Sequence, residues 1–185
     1  MPRLPDAQVT PRLLLRPWRP DDEGDVDAAY EIYRHSEVSR WLGSRPSPPR
    51  GRDEVHGRLV RWADRADGTL GVFAVVPFGG PDRPLGTALL LDLPASDGGG
   101  EDGAYEIGWH LHPSVWGRGY GREAGAAMAL RARAGGMPEV RAVVYAGNTP
   151  SLAVCDQLGM TRLGLTDRWY GVDLVDHVLD LRDPL

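Results

Sequence analysis

The stretch VWGRGYGREA, residues 115–124, lies between a short strand-like run and a long alanine-rich segment. Its three glycines, Gly117, Gly119 and Gly121, alternate, so backbone N–H groups can turn inward with no Cβ in the way. The alanine-rich segment predicts a helix over about 119–134, which puts the glycines at a helix N-terminus. The first amides of a helix have no intrahelical acceptor, and the helix dipole favours a negative charge there. These features point to a cradle for a diphosphate. A purely structural glycine turn would share the same composition.

Outward from this loop, AYEIGWHL (104–111) alternates as a strand. Tyr105, Ile107, Trp109 and Leu111 share one face, and Glu106, Gly108 and His110 share the other. Downstream, VRAVVY (140–145) reads as a strand, 150–158 as a helix, and the neighbourhoods of 161–166 and 174–182 as strands. Upstream, RLLLR (12–16) is a strand that stops at Pro17, and Asp21 and Asp22 can cap a helix over roughly 25–36. After the breaker SRPSPP (44–49), Val55, Leu59 and Trp62 mark a second helix over 52–65. GVFAVV (71–76) and LGTALLLD (85–92) flank a turn-rich link, as in a hairpin, and LPASDGGGEDG (93–103) is a flexible connection. The order predicts a mixed sheet in one α/β layered domain spanning 1–185.

The chain has 185 residues, 42% hydrophobic and 25% charged, the size and balance of one soluble domain. A net charge of −5 argues against a duplex nucleic-acid surface, which needs clustered cations, and suits a cationic acceptor. All 21 basic residues are Arg. Any phosphate-binding cation must therefore be Arg, and no lysine can act as nucleophile or Schiff base. The lone cysteine, Cys155, excludes an intrachain disulfide and a multi-cysteine zinc site, and no metal is expected. The N-terminal segment has no apolar run of signal-peptide length and nothing later approaches a membrane span, so no membrane partner and a cytoplasmic location are the expectations.

The loop resembles the acyl-CoA loop of the GNAT N-acetyltransferases, usually written Q/R-x-x-G-x-G/A, with Trp116 in the first place and Gly119 and Gly121 as the glycines. Trp in that place is similar to the RimJ/RimL-like branch, the ribosomal-protein N-acetyltransferases, where W-G-x-G-Y is common. The opening TPRLLLRPWRPDD (10–22) resembles that branch's T-x-R-L-x-L-R start. NTPSLAVCDQLGM (148–160) is similar to its N-x-x-S/A…L-G-F/M helix, and Asp176 before an apolar strand is similar to its ending. The resemblance implies the GNAT fold: a mixed, mostly antiparallel sheet of about six to seven strands flanked by about four helices. The fourth and fifth strands would splay into a V-shaped cleft. It implies acetyl-CoA as acyl donor, with pantetheine bonded near Trp109, His110 and Leu111. The pyrophosphate would rest on the loop from Trp116 through Gly117, Arg118, Gly119, Tyr120, Gly121 and Arg122, with Asn148 and Ser151 near the thioester. The implied partner is an amine, either a protein N-terminus or a small molecule, and a homodimer is compatible with the resemblance.

Acyl transfer to an amine needs a base to collect the ammonium proton and a place for the oxyanion. Glu106 is the first candidate for the base, because burial beside apolar groups raises a carboxyl toward the working range. It would also serve to hold the acceptor's ammonium group. His110, on the same face, is the next candidate, while His112 before Pro113 suits a turn. Many relatives carry a proton-donating Tyr seven residues after the Asn equivalent to Asn148. Here that position is Cys155, so Ser151, a water or no enzyme group protonates the thiolate. Trp169 and Tyr170, ahead of the last strand, are candidates for acceptor contacts. Two other readings compete. One is an acyl-CoA-binding regulatory domain without turnover, suggested by Cys155. The other is a dinucleotide site, since Gly119, Gly121 and Ala124 fit G-x-G-x-x-A. That motif should follow a strand directly and be answered by a carboxylate at the next strand's end. Instead Pro113, Ser114 and Val115 intervene, and the second strand runs into Tyr145-Ala146-Gly147-Asn148.

Overall fold

The computed structural model describes residues 4–44, 46–65, 68–96 and 104–182. Arg45 of the expected breaker and residues 97–103 of the expected flexible connection lie outside the described residues. The elements are β1 (Gln8–Val9), β2 (Leu13–Pro17), α1 (Glu23–Tyr33), α2 (Ser36–Ser39), α3 (Arg52–Asp64), β3 (Gly71–Pro77) and β4 (Gly86–Asp92). They continue as β5 (Tyr105–Leu111), α4 (Tyr120–Ala134), β6 (Glu139–Val144), α5 (Thr149–Gln157), β7 (Thr161–Thr166) and β8 (Leu174–Asp180). The eight strands form one sheet in the order β1-β2-β3-β4-β5-β6-β8-β7. Every neighbouring pair is antiparallel except β5 and β6.

Mixed, mostly antiparallel architecture was expected, with six to seven strands and about four helices; the described residues form eight strands and five α-helices. The extra strand is the two-residue β1, which pairs Gln8 with Leu15 and Val9 with Leu14. Two residues are too few to show a period of two. The extra helix, α2, is a single turn split from α1 at Arg34, where the Arg34 amide bonds back to Tyr30 and the chain restarts at His35.

Alternation decides which face each strand side chain meets. Along β3, Phe73 and Val75 join the core under α4, and Val72, Ala74 and Val76 join the core under α1 and α3. A strand covered on both sides therefore reads as a continuous apolar run. The α1 helix begins where the Asp22 side chain accepts from the Gly24 and Asp25 amides, and it buries Val26, Ala29, Ile32 and Tyr33 at helical spacing. The α3 helix presents Val55 and Leu59 to the same core.

A buried ion pair joins β2 to α1. The Arg16 guanidinium donates to both oxygens of Asp25 at 2.7 Å, and both residues are nearly sealed from solvent. Asp25 also accepts from the Arg19 amide at 2.9 Å, and Arg16 donates to Asp82 at 2.9 Å. Removing one partner of such a pair strands a buried charge. Asp25→Ala should therefore lower unfolding free energy by about 3 kcal/mol, with Asp82 limiting the loss, as measured by urea denaturation.

Candidate active site

β5 and β6 meet in register at Glu106 and Arg141 and then diverge toward their C-terminal ends. The His112 amide donates to Leu85 on the β4 side. Backbone groups alternate along a strand, so the peptide groups of Ile107 and Trp109 face the gap toward β6. Leu111 faces it too, but its carbonyl already accepts from Trp116 Nε1 at 2.8 Å. A cavity of about 750 Å³ opens in this gap, walled by β5 from Glu106 to Leu111, β6 from Ala142, and the segments around Gly119 and Asn148. The splayed cleft expected between these two strands is present.

At its mouth stands the N-terminus of α4, capped by no side chain. Gly117 and Gly119 take left-handed φ values of 73° and 77°, which favour glycine. Gly121 is needed for a different reason. A Cβ there would lie 3.3 Å from Trp109, and one on Gly125 would lie 3.0 Å from the same ring, so both let α4 settle on β5. The alternate glycines thus divide between turning the chain and admitting an aromatic ring.

The loop is also clipped from outside. Glu123, in the first turn of α4, accepts from Thr10 Oγ1 at 2.6 Å, from the Arg12 amide at 2.8 Å and from Arg12 Nε at 2.6 Å. Arg12 then donates to the Arg118 carbonyl at 2.8 Å and lies over the Tyr120 ring. Sequence reasoning gave Arg12 no role at the loop. Its signal was the Thr-Pro-Arg opening, but only the fold brings residues more than a hundred positions apart into contact.

Of the expected donor-site residues, Trp109, His110, Leu111, Trp116, Gly117, Gly119, Tyr120, Gly121, Arg122, Asn148 and Ser151 line the cavity. The Arg118 side chain does not, and its backbone serves Arg12 instead. Asn148 Oδ1 accepts from the Ser151 amide at 3.4 Å as the cap of α5, while Ser151 itself faces the cavity. Cys155 is fully buried in the core, and burial pushes its thiol up to about 12, so it stays a protonated, space-filling group.

On the opposite face of β5, burial raises the Glu106 carboxyl from 4.5 to about 7, against a hydrogen bond from Tyr170 Oη at 2.5 Å that favours the carboxylate. His110 differs. Burial first, then the nearby Arg58, pushes its imidazole down to about 4, and its Nδ1 lies 3.2 Å from Tyr33 Oη. His110 is thus a neutral, weak base at working pH, and Glu106 is the better poised of the two. His112 shapes the turn as expected, its Nδ1 accepting from the Ser114 amide at 3.2 Å.

The acceptor contact expected of Trp169 is corrected by its burial. Its ring is 0% exposed, fills a small core with Leu93 and Leu174, and does not line the cavity, whereas Tyr170 does. The far wall comes from α2 and the segment after it, through Glu37, Arg40, Trp41 and Gly43. Tyr145 Oη donates to the Gly43 carbonyl at 2.8 Å, and a Cβ on Gly147 would lie 3.3 Å from Trp41. These contacts stitch the roof to the end of β6.

A family model described as an acetyltransferase (GNAT) domain matches residues 12–161. Among solved structures, a GNAT-family acetyltransferase from Bacillus anthracis superposes with a TM-score of 0.75 at 19% identity, covering 96% of this chain and 99% of that one. A Vibrio cholerae protein assigned as a ribosomal-protein-serine acetyltransferase gives 0.77 at 19% identity over 96% and 99%. A ribosomal-protein-S5-alanine acetyltransferase from Vibrio fischeri gives 0.71 at 16% identity over 96% and 97%. At these identities the superpositions speak for a shared fold. With most of its length matched by the family model, and with the splayed strands and glycine-bounded helix N-terminus in place, this chain belongs to the GNAT acetyltransferases, a family of acyltransferases that use acetyl-CoA.

Proposed function

We propose that this protein moves an acetyl group from acetyl-CoA directly onto a primary amine in the cleft between β5 and β6, with Glu106 as the general base. The observation that carries the reading is the half-buried Glu106 carboxyl at the vertex of a cleft whose mouth is an uncapped helix N-terminus, with desolvation pushing its pKa up to about 7. The residues present suit the donor. The amides of Gly117 to Arg122 would hold its diphosphate, and Arg122 would add positive charge beside them. Between Glu106 and Leu111 the strand runs about 17 Å, with peptide groups turned to the gap, a length along which an extended carrier arm can bond. When bound, acetyl-CoA supplies an activated thioester.

The protein's own groups do the rest. In its ionised form Glu106 takes the proton that an ammonium acceptor must lose, and its raised pKa makes that carboxylate a stronger base while leaving a working fraction of it ionised near neutrality. The peptide groups of β5 orient the acyl end, and the roof from Glu37 to Gly43 limits access of water. Ser151 and Thr149 are hydroxyls of α5 that line the cavity, and Tyr170 is the phenol on the acceptor side. The acceptor is a protein α-amino terminus or a small amine. The likeness in fold to ribosomal-protein acetyltransferases supports the former.

Two outcomes test this reading. In Glu106→Gln, kcat/KM should fall by about a hundredfold near neutral pH while acetyl-CoA affinity stays level. The wild-type profile should show a limb rising with pH through about 7 as the carboxyl ionises, and the variant should lose that limb and keep only the rise from deprotonation of the acceptor amine. In Gly121→Asp, acetyl-CoA affinity measured by calorimetry should drop about a hundredfold, since a carboxylate would stand against the diphosphate. Gly121→Ala controls for the close Trp109 contact and should lose far less. Binding without turnover on any amine would instead favour the regulatory reading.

A further inference from the structure

Tyr170 is in a conformation its sequence neighbours do not explain. Its φ is 57°, the left-handed region, and it is the one non-glycine residue there among those described. A side chain with a Cβ pays to sit in that region and stays only where the surroundings over-determine it. Here they do. Ala95 and Trp169 form a β-bridge, the Ser96 amide donates to the Arg168 carbonyl at 2.8 Å, and the Gly171 amide donates to Ser96 Oγ at 2.8 Å. Between these ties, Trp169 is locked by its side chain. Its Nε1 donates to Asp176 Oδ2 at 3.2 Å, and Arg141 Nη1 donates to the same oxygen at 2.6 Å. The Arg141 guanidinium lies 5.6 Å from the Trp169 ring centre.

The consequence falls on the next residue. With Trp169 held in the core and Gly171 tied to Ser96, Tyr170 is turned back over the sheet and its hydroxyl reaches Glu106 Oε2 at 2.5 Å. We propose that Tyr170 is a positioning residue for the Glu106 carboxylate, and that the Trp169–Asp176–Arg141 assembly is the bracket that holds it in place. This rests on Glu106 being the base, and it adds a function for residues outside the cleft lining. The phenol is suited to the task. Burial first, then the Glu106 charge, pushes its own ionisation upward, so it remains a donor. A donor stabilises the carboxylate over the acid and fixes one of its oxygens, leaving the other for the acceptor's proton.

The charged and titratable groups nearby come from several elements. Arg141 stands opposite Glu106 on β6 but is turned to Asp176. His110 shares the β5 face and is held neutral by burial. Arg65, at the end of α3, acts on Tyr170. Glu106 thus meets a neutral phenol where an arginine would have made it a permanent anion and a poor base.

The test reads the Glu106 titration in the full-length protein without donor or acceptor, by NMR of ¹³C-labelled glutamate side chains, with Glu106→Gln assigning the resonance. In Tyr170→Phe the midpoint should move up from about 7, and the acid limb of kcat/KM should move with it. The rate at pH 7 should fall about tenfold, with KM for acetyl-CoA little changed. Trp169→Phe keeps an aromatic ring but removes the N–H to Asp176, and should shift the midpoint in the same direction by less. An unmoved midpoint in Tyr170→Phe overturns the proposal. A shift there but none in Trp169→Phe overturns the bracket. Because the titration needs no substrate, it is separate from the base assignment, which an unchanged Glu106→Gln rate would overturn by itself.

Discussion

β5 and β6 run parallel inside a sheet whose other pairs are antiparallel, and they share register at Glu106 and Arg141 before parting. A parallel pair cannot be joined by a tight turn. It needs a crossover, and the crossover here is the glycine loop with α4. The helix must then begin where β5 ends, so its free amides arrive at the open mouth of the gap rather than anywhere else on the surface. The vertex of the same gap is where burial acts on Glu106. One change of strand direction therefore sets the uncapped amides of a helix at one end of a strand and a perturbed carboxyl at the other.

Electrostatics at the vertex depend on which carboxylate Arg141 chooses. It donates to Asp176, one strand further from the cleft, and so does the indole of Trp169. Glu106 is left with a phenol. The half-buried Arg141 neutralises the buried Asp176, with Glu139 as its outer partner, and the carboxyl that borders the cavity keeps a proton affinity near neutrality. The mouth is organised with comparable economy. Glu123 gathers Thr10 and Arg12 from the N-terminal segment, and Arg12 passes the restraint on to the Arg118 carbonyl. The loop is thereby held by the protein's own contacts, so a ligand bound on it would meet a smaller ordering cost.

Much of this was legible beforehand, for physical reasons that differ between residues. The faces of β5 follow from alternation, so Glu106 and His110 could be put on one side and Trp109 on the other before any contact was known. Cys155 could be read as a small buried group, and it is one. Trp169 and Tyr170 are adjacent in sequence and were expected to act together, yet one is sealed in a core and the other faces the cleft. The left-handed turn that separates them is imposed by Ala95 and Ser96, far away along the chain, and leaves no local signature. β1 and α2 were missed because two and four residues carry too little periodicity to stand out.

The sequence by itself determined the element order, the buried face of each long element, the glycine loop at a helix start and the family to which these belong, because each is written in local spacing and residue type. Only the tertiary structure decided which glycine turns the chain and which admits Trp109, which carboxylate Arg141 neutralises, and which aromatic reaches Glu106. Those outcomes depend on pairs of residues brought together from distant positions, where burial and a few ångströms of separation set the energy. No local pattern encodes such distances.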